Sequence, residues 1–271
     1  MQNKIKNQFG LAINLDEIAR CCAPLQLPNL CYENLSAKDN ANVPYVRYLT
    51  TLKKFGVLII SLAYTDQGET LKNIVKKIGI LHKHTEHESF IWDIKVATEN
   101  SVKPYLARSH QADEFYLHTD CSYEKIVPDY FGLYVLKPDQ FGGGKNLIVH
   151  QQDLLSCLSK SNLSILQNYP VTIKVPKEFY KGIASITAPI IDEHLNLRYR
   201  REIIDLKKLT LLQKKALHEF ETLAYSTKQV RNLSLKKNQI LLLNNKKYLH
   251  ARTAIKDKNR HLKRIRFFIK N

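Results

Sequence analysis

Residues 239–269 read QILLLNNKKYLHARTAIKDKNRHLKRIRFFI, and their pattern decides the class of fold. Ile240–Asn244 is a short apolar run of strand length. Leu262–Ile269 alternates: Ile265, Phe267 and Ile269 share one face, while Leu262, Arg264 and Arg266 share the other. That period marks a strand with one apolar and one cationic face. A guanidinium facing a closed interior is costly without an anionic partner, and bidentate carboxylate recognition is what arginine does best. Arg260 and Arg264 follow His250 by ten and fourteen residues. The bland alternative is a basic C-terminal segment, since from Lys246 to Lys270 ten Lys or Arg stand against the single acid Asp257.

Working outward, further strands are expected at Phe90–Val96, Phe115–His118, Tyr130–Leu136, Asn146–Val149, Val171–Val175 and Asn196–Arg200. Tyr45, Val46, Leu49, Leu52 and Phe55 recur at helical spacing, with Pro44 suited to the first turn and Gly56 to the end. Val57–Leu62 then reads as a buried strand, and Asp66 opens a helix carrying Leu71, Ile74, Val75 and Ile78 that Gly79 stops. Two more helical patterns lie near Asp153–Gln167 and Leu211–Tyr225. Many short strands with helices inserted at intervals predict an α+β fold with a mainly β core, a barrel or sandwich with helices packed outside. The regular alternation of a doubly wound sheet is missing. No linker divides the chain, so residues 1–271 read as one domain, with 1–42 a loosely patterned N-terminal arm.

Composition sets the outer bounds. With 271 residues, 44% hydrophobic and 25% charged, the chain can bury a full core without disulfide staples. The five cysteines, Cys21, Cys22, Cys31, Cys121 and Cys157, have no C-x-x-C spacing and are expected as reduced thiols. MQNKIKNQFG lacks the apolar core of a secretory signal, and no apolar run is long enough to span a bilayer, so a cytoplasmic location is expected. The net charge of +17 points to acidic partners: carboxylate metabolites, nucleic acid or an anionic surface.

The ten histidines are unevenly placed, and three placings bear on chemistry: the His82, His84 and His87 cluster, His118 and His250. His82, His84 and His87 in LHKHTEHES sit among Lys83, Glu86 and Glu88, which reads as a solvated loop. His118 and Asp120, two residues apart at a strand end, project to the same side and can grip one cation. If His250 supplies a third ligand, two His and one carboxylate leave three octahedral positions open, as oxygen chemistry requires. Zinc hydrolysis uses the same ligand types, so the set argues for a metal before it argues for a reaction.

The sequence resembles the iron(II)/2-oxoglutarate-dependent dioxygenases of the taurine dioxygenase and clavaminate synthase-like branch. The likeness runs through KKFGVLIISL (53–62), YLHTDCSYEKIVPDYFGLYVLKPDQFGGGKNLIVHQQDLL (116–155) and the 239–269 block, where a strand, the distal His and an R-x-x-x-R pair are joined. The resemblance implies a double-stranded β-helix, a jelly-roll or cupin-like barrel. It implies that His118, Asp120 and His250 hold iron(II), that Arg260 clamps the distal carboxylate of 2-oxoglutarate, and that Arg264 meets the substrate's own carboxylate or sulfonate. Asn146, or Lys145 with a one-residue shift, stands where the family places a Thr or Ser against the co-substrate. Ser109 in ARSHQADEF resembles a position that binds amino-acid substrates.

The implied reaction consumes O2 and 2-oxoglutarate, releases succinate and CO2, and hydroxylates an unactivated C–H of a small carboxylate, most simply a free or derivatised amino acid. Desaturation, ring closure or a sulfonate substrate would use the same machinery. A nucleic-acid oxygenase or binder is the second class the charge admits, although no aromatic stacking platform is evident and demethylating relatives space their arginines differently. A barrel that has lost its reaction is the third, and the complete ligand set with Arg260 stands against it. No membrane partner is expected. Asp120→Ala is expected to abolish metal-dependent turnover and leave the fold intact. Residues 1–42 and His82–Ser89 are expected as lid elements.

Overall fold

The computed structural model describes residues 13–36, 43–83, 89–97 and 106–270. In chain order its elements are α1 (Leu15–Cys21), β1 (Ala23–Pro24), β2 (Tyr32–Leu35), α2 (Tyr45–Phe55), β3 (Val57–Leu62), α3 (Glu69–Ile78), β4 (Gly79–His82), β5 (Trp92–Lys95), β6 (Phe115–His118), β7 (Tyr130–Lys137), β8 (Asn146–His150), α4 (Gln151–Cys157), α5 (Lys160–Asn168), β9 (Val171–Lys174), β10 (Ser185–Ala188), α6 (Leu211–Ala224), β11 (Arg231–Leu233), β12 (Gln239–Asn244), β13 (Tyr248–Arg252) and β14 (His261–Ile269). Seven strands form one sheet in the order β2-β3-β12-β7-β14-β4, with β5 also paired to β14. Five form a second sheet, β1-β11-β8-β13-β6, and β9 and β10 make a separate hairpin. The fold is α+β with a mainly β core. Among the described residues no ladder joins the two large sheets, so a closed barrel is not seen there and the two sheets lie as separate layers.

Period-two alternation explains the layering. In β12, Ile240 and Leu242 pack outward with Leu58 and Ile60 of β3 under α2 and α3, while Leu241 and Leu243 face inward with Ile59, Phe131 and Ile148. β14 obeys the same rule: Ile265 and Phe267 join the helix-covered outer core. Leu262 belongs to a small inner cluster, and Arg264 lines the inner cavity. On the other sheet, Leu147, Val149, Leu249 and Ala251 pack outward against α1, α4, α5 and α6. Each fully buried aliphatic side chain here contributes about 2 kcal/mol by leaving water. The inner faces are thus apolar at one end and polar at the other, where His118, His250 and the arginines gather.

Several sequence expectations change. Asn196–Arg200 is no strand: Leu197 and Tyr199 are buried, but the segment makes only isolated bridges, Ile191 to Leu197 and His118 to Arg200. The helix expected near Asp153–Gln167 is two, α4 and α5, interrupted at Leu158–Ser159, where Glu219 of α6 accepts from the Ser159 amide and hydroxyl. Gly79 does end α3, yet its φ of −153° is extended. Its lack of a side chain serves packing instead, since a Cβ there would come within 2.5 Å of Phe267. The N-terminal arm holds α1, β1 and β2, the last running parallel to β3, so residues 13–36 are more regular than expected. His82 is the end of β4 rather than part of a loop, while His84, His87 and most of the expected His82–Ser89 lid lie outside the described residues, as do 1–12 and 37–42.

Candidate active site

β6 and β13 are antiparallel neighbours whose register sets His250 opposite His118, with ring centroids 4.1 Å apart. Asp120 lies in the turn leaving β6. Buried Asn245 clamps its peptide: Oδ1 accepts from the Asp120 amide at 2.8 Å and Nδ2 donates to its carbonyl at 2.9 Å. Asp120 Oδ1 then stands 3.6 Å from His118 Nε2 and 3.7 Å from His250 Nε2. His118 Nδ1 donates to the Tyr116 carbonyl at 2.7 Å, which puts the lone pair on Nε2. That Nε2 is buried without a hydrogen-bond partner. An orphaned imidazole nitrogen beside a second imidazole and a carboxylate is a donor set that fits a divalent cation, and the three candidate ligand atoms lie within 4.8 Å of one another.

Electrostatics prepare these groups. Burial, then the His250 imidazole, pushes His118 down to about 3, so its ring is neutral near pH 7. Burial alone would raise Asp120, but Arg264 and Arg266 outweigh it and hold the carboxyl well below its usual range. Arg264 Nη1 donates to Asp120 Oδ1 at 3.2 Å, and Arg266 Nε donates to Oδ2 at 2.8 Å. The resemblance assigns Arg264 to a substrate anion; the structure places one of its donors on Asp120 and leaves its buried Nε unpartnered. Spacing alone gives Arg266 no role, although the alternation in β14 puts it on the same face as Arg264.

A cavity between the sheets opens from the two histidines. Its walls carry Arg252, Arg260 and Arg264 beside Phe131, Leu133, Leu241 and Leu243. Arg252, a further residue the spacing overlooked, is tied to three backbone carbonyls, those of Thr253, Gln111 and Asp113. Burial, then Arg260 and Arg108, pulls Arg252 down to about 9, and burial pulls Arg260 to about 10. No carboxylate among the described residues forms an ion pair with Arg260, whose guanidinium lies against Gly144. Asn146 lines this cavity and the adjoining outer one, whereas Lys145 lines only the outer one. Ser109 also faces the inner cavity, its hydroxyl buried without a partner. Six of the seven sequence-derived candidates line this one cavity, whose described lining carries no carboxylate, and the seventh, Asp120, stands behind it against His118, His250 and Arg264.

A sequence profile of the taurine catabolism dioxygenase TauD, TfdA family matches residues 33–266. The chain belongs to that family, and is by class an iron(II)- and 2-oxoglutarate-dependent oxygenase using O2. No curated protein sequence matches it. Among solved structures it resembles an asparagine oxygenase in complex with Fe(II), 2S,3S-3-hydroxyasparagine and succinate, at 16% identity and TM-score 0.68 over 82% of this chain and 78% of that one. The non-heme iron oxygenase OrfP with Fe and α-ketoglutaric acid gives 14% identity and TM-score 0.66 over 84% and 78%. PvcB from Pseudomonas aeruginosa gives 14% and 0.63 over 88% and 86%. At these identities the likeness speaks for the fold. No helix among the described residues is long and apolar enough to cross a membrane.

Proposed function

We propose that this oxygenase hydroxylates an unactivated C–H of a small amino acid or amino-acid-like carboxylate, with His118, Asp120 and His250 as the iron ligands. The observation that carries the assignment is the buried, orphaned His118 Nε2 in one cavity with Arg260, a buried cation that among the described residues makes no ion pair. When bound, iron(II) and 2-oxoglutarate supply oxygen activation and the electrons that hydroxylation needs, leaving succinate and CO2. Neutral His118 ligates without first losing a proton, and Asp120 offers Oδ1 while Arg266 retains Oδ2. Arg260 binds the distal carboxylate of 2-oxoglutarate, and Asn146 offers an amide N–H beside it. The unpartnered Arg264 Nε and Ser109 hydroxyl are the donors left for the substrate's carboxylate. Leu133, Leu241 and Leu243 keep water from the reacting carbon. The hydroxylated amino acid held by the asparagine oxygenase supports this substrate class. The two facing sheets are read as the halves of a double-stranded β-helix, and the free cysteines support a reducing, cytoplasmic setting.

Anaerobic addition of iron(II) and 2-oxoglutarate to the metal-free protein tests this. A visible charge-transfer band is expected, shifted further by the correct amino acid and lost at the same ligand concentration in Arg260→Leu. Folded protein that forms no band would sink the reading.

A further inference from the structure

Among the described residues one other group of metal-ligating side chains converges: His82, Cys121 and Glu124, whose donor atoms lie within 4.8 Å of one another. The three come from opposite layers. His82 ends β4, the edge strand of the seven-stranded sheet, while Cys121 and Glu124 belong to the turn that leaves β6 of the five-stranded sheet. His82 Nε2 and Glu124 Oε2 already stand 2.7 Å apart. Cys121 is 2% exposed, against 11% and 16% for the side chains of His82 and Glu124, so the thiol lies deepest and the other two leave an approach from solvent. Cys121 also holds a φ of 57°, a left-handed conformation that a non-glycine residue adopts only where its surroundings impose it.

We propose that His82, Cys121 and Glu124 form a second divalent-metal site, one that takes zinc and clips the Asp120-bearing turn to β4. One sulfur, one imidazole and one carboxylate are the ligand types zinc takes, and three protein ligands leave the fourth tetrahedral position to water. Drawing the atoms onto a zinc ion asks the His82–Glu124 contact to open and the thiol to close in. The thiol gives its proton to solvent on binding, and thiolate plus carboxylate then neutralise the two charges of the cation. Zinc's two charges less the released proton raise the cluster by one charge, from the single negative charge of Glu124 to neutral, so Lys181 at 3.7 Å from Glu124 Oε1 and Arg266 already on Asp120 Oδ2 face a neutral site and no net positive one. Because Cys121 follows Asp120 directly, filling the clip fixes the turn from which Asp120 reaches His118 and His250. The site stands apart from the oxygenase reading: its ligands are different, and only it offers sulfur.

Cobalt(II) titrated into the full-length, reduced, metal-free protein in the absence of 2-oxoglutarate tests the site. The expected result is a near-ultraviolet thiolate-to-cobalt band that zinc abolishes, present in the wild type and in His250→Ala and absent in Cys121→Ser. Zinc should raise the thermal midpoint of His250→Ala but not of the double variant His250→Ala/Cys121→Ser, which lacks a ligand at each of the two sites. Should Cys121→Ser not fold, His82→Gln takes its place and should bind cobalt weaker by about 100-fold or more. Folded wild type without a thiolate band, or a band of full intensity in Cys121→Ser or of full affinity in His82→Gln, would overturn the proposal, the first result leaving a His–Glu pair sealed by a thiol. Failure of the 2-oxoglutarate band with a sulfur–cobalt band intact would count against the oxygenase site alone.

Discussion

Asp120→Ala is the substitution on which the sequence and the structure disagree. Ligand spacing alone expects a dead enzyme with an intact fold. In the structure Asp120, 4% exposed, is the carboxylate between Arg264 and Arg266, each 6% exposed, at 3.2 and 2.8 Å. Removing it strands two guanidinia in the interior. Breaking one buried pair by deleting a partner costs about 3–5 kcal/mol, most of it the penalty of the charge left behind. Against a total stability of roughly 5–15 kcal/mol that loss is severe, and for a chain of this size it lowers the thermal midpoint by about 6–20 °C. The Asn245 clamp does not soften it, because Asn245 holds the Asp120 backbone, which alanine keeps. The assay is thermal unfolding by circular dichroism in the presence of chelator, so that lost metal binding does not enter. Asp120→Ala combined with Arg266→Met should then recover at least about 1 kcal/mol, since replacing a whole buried pair by apolar groups is often neutral. A midpoint within about 2 °C of wild type, or a double variant no more stable than the single one, would refute the reasoning.

Arg260→Leu removes a buried cation with no ion-pair partner, so the ligand-free protein should melt no lower than wild type, while loss of a charge-assisted contact weakens 2-oxoglutarate about 10–100-fold in the anaerobic titration. Gly144→Ala puts a Cβ 2.8 Å from Arg260 Nε at a φ of 60°, so it should cost about 1–2 kcal/mol of stability and weaken 2-oxoglutarate while cobalt binding in its absence is unchanged; unaltered co-substrate affinity would argue against Arg260 as the clamp. His118 sits near 3 in the folded chain against 6.5 when unperturbed, so the unfolded chain binds more protons between those values. Stability of the metal-free protein is therefore fully present above pH 6.5 and falls toward pH 3, by up to about 1.4 kcal/mol per unit from this group; urea unfolding at stepped pH checks it, and His118→Asn should flatten the slope.

What was legible in the sequence was whatever alternation and short spacing report. Ile265 and Phe267 against Arg264 and Arg266 fixes which face of β14 turns inward, and His118-x-Asp120 puts two ligands on one side, whatever the rest of the chain does. Asn196–Arg200 marks the limit of that signal. Its alternation correctly reports that Leu197 and Tyr199 are buried, but burial is not pairing, and no neighbouring strand offers a ladder. The break between α4 and α5 escapes a local reading for a similar reason: the groups that capture Ser159 belong to Glu219, sixty residues on.

The roles of the two arginines were hidden by the same long range. Parity places Arg264 and Arg266 side by side, yet only the register of β14 against β7 and the turn after β6 decides which one reaches which oxygen of Asp120, more than 140 residues away. Arg266 takes Oδ2 at 2.8 Å, and the remaining Oδ1 faces both imidazole Nε2 atoms at 3.6 and 3.7 Å. The two oxygens of one carboxylate are thereby given different work, one committed to a guanidinium and the other turned toward the histidines. Arg264 also stands on that second oxygen at 3.2 Å, so a cation held there by His118, His250 and Asp120 would compete with it. On the proposed reading its Nη1 would then turn with the unpartnered Nε toward the cavity that Arg264 lines, and the anion-binding role that the resemblance implies for Arg264 would depend on the metal.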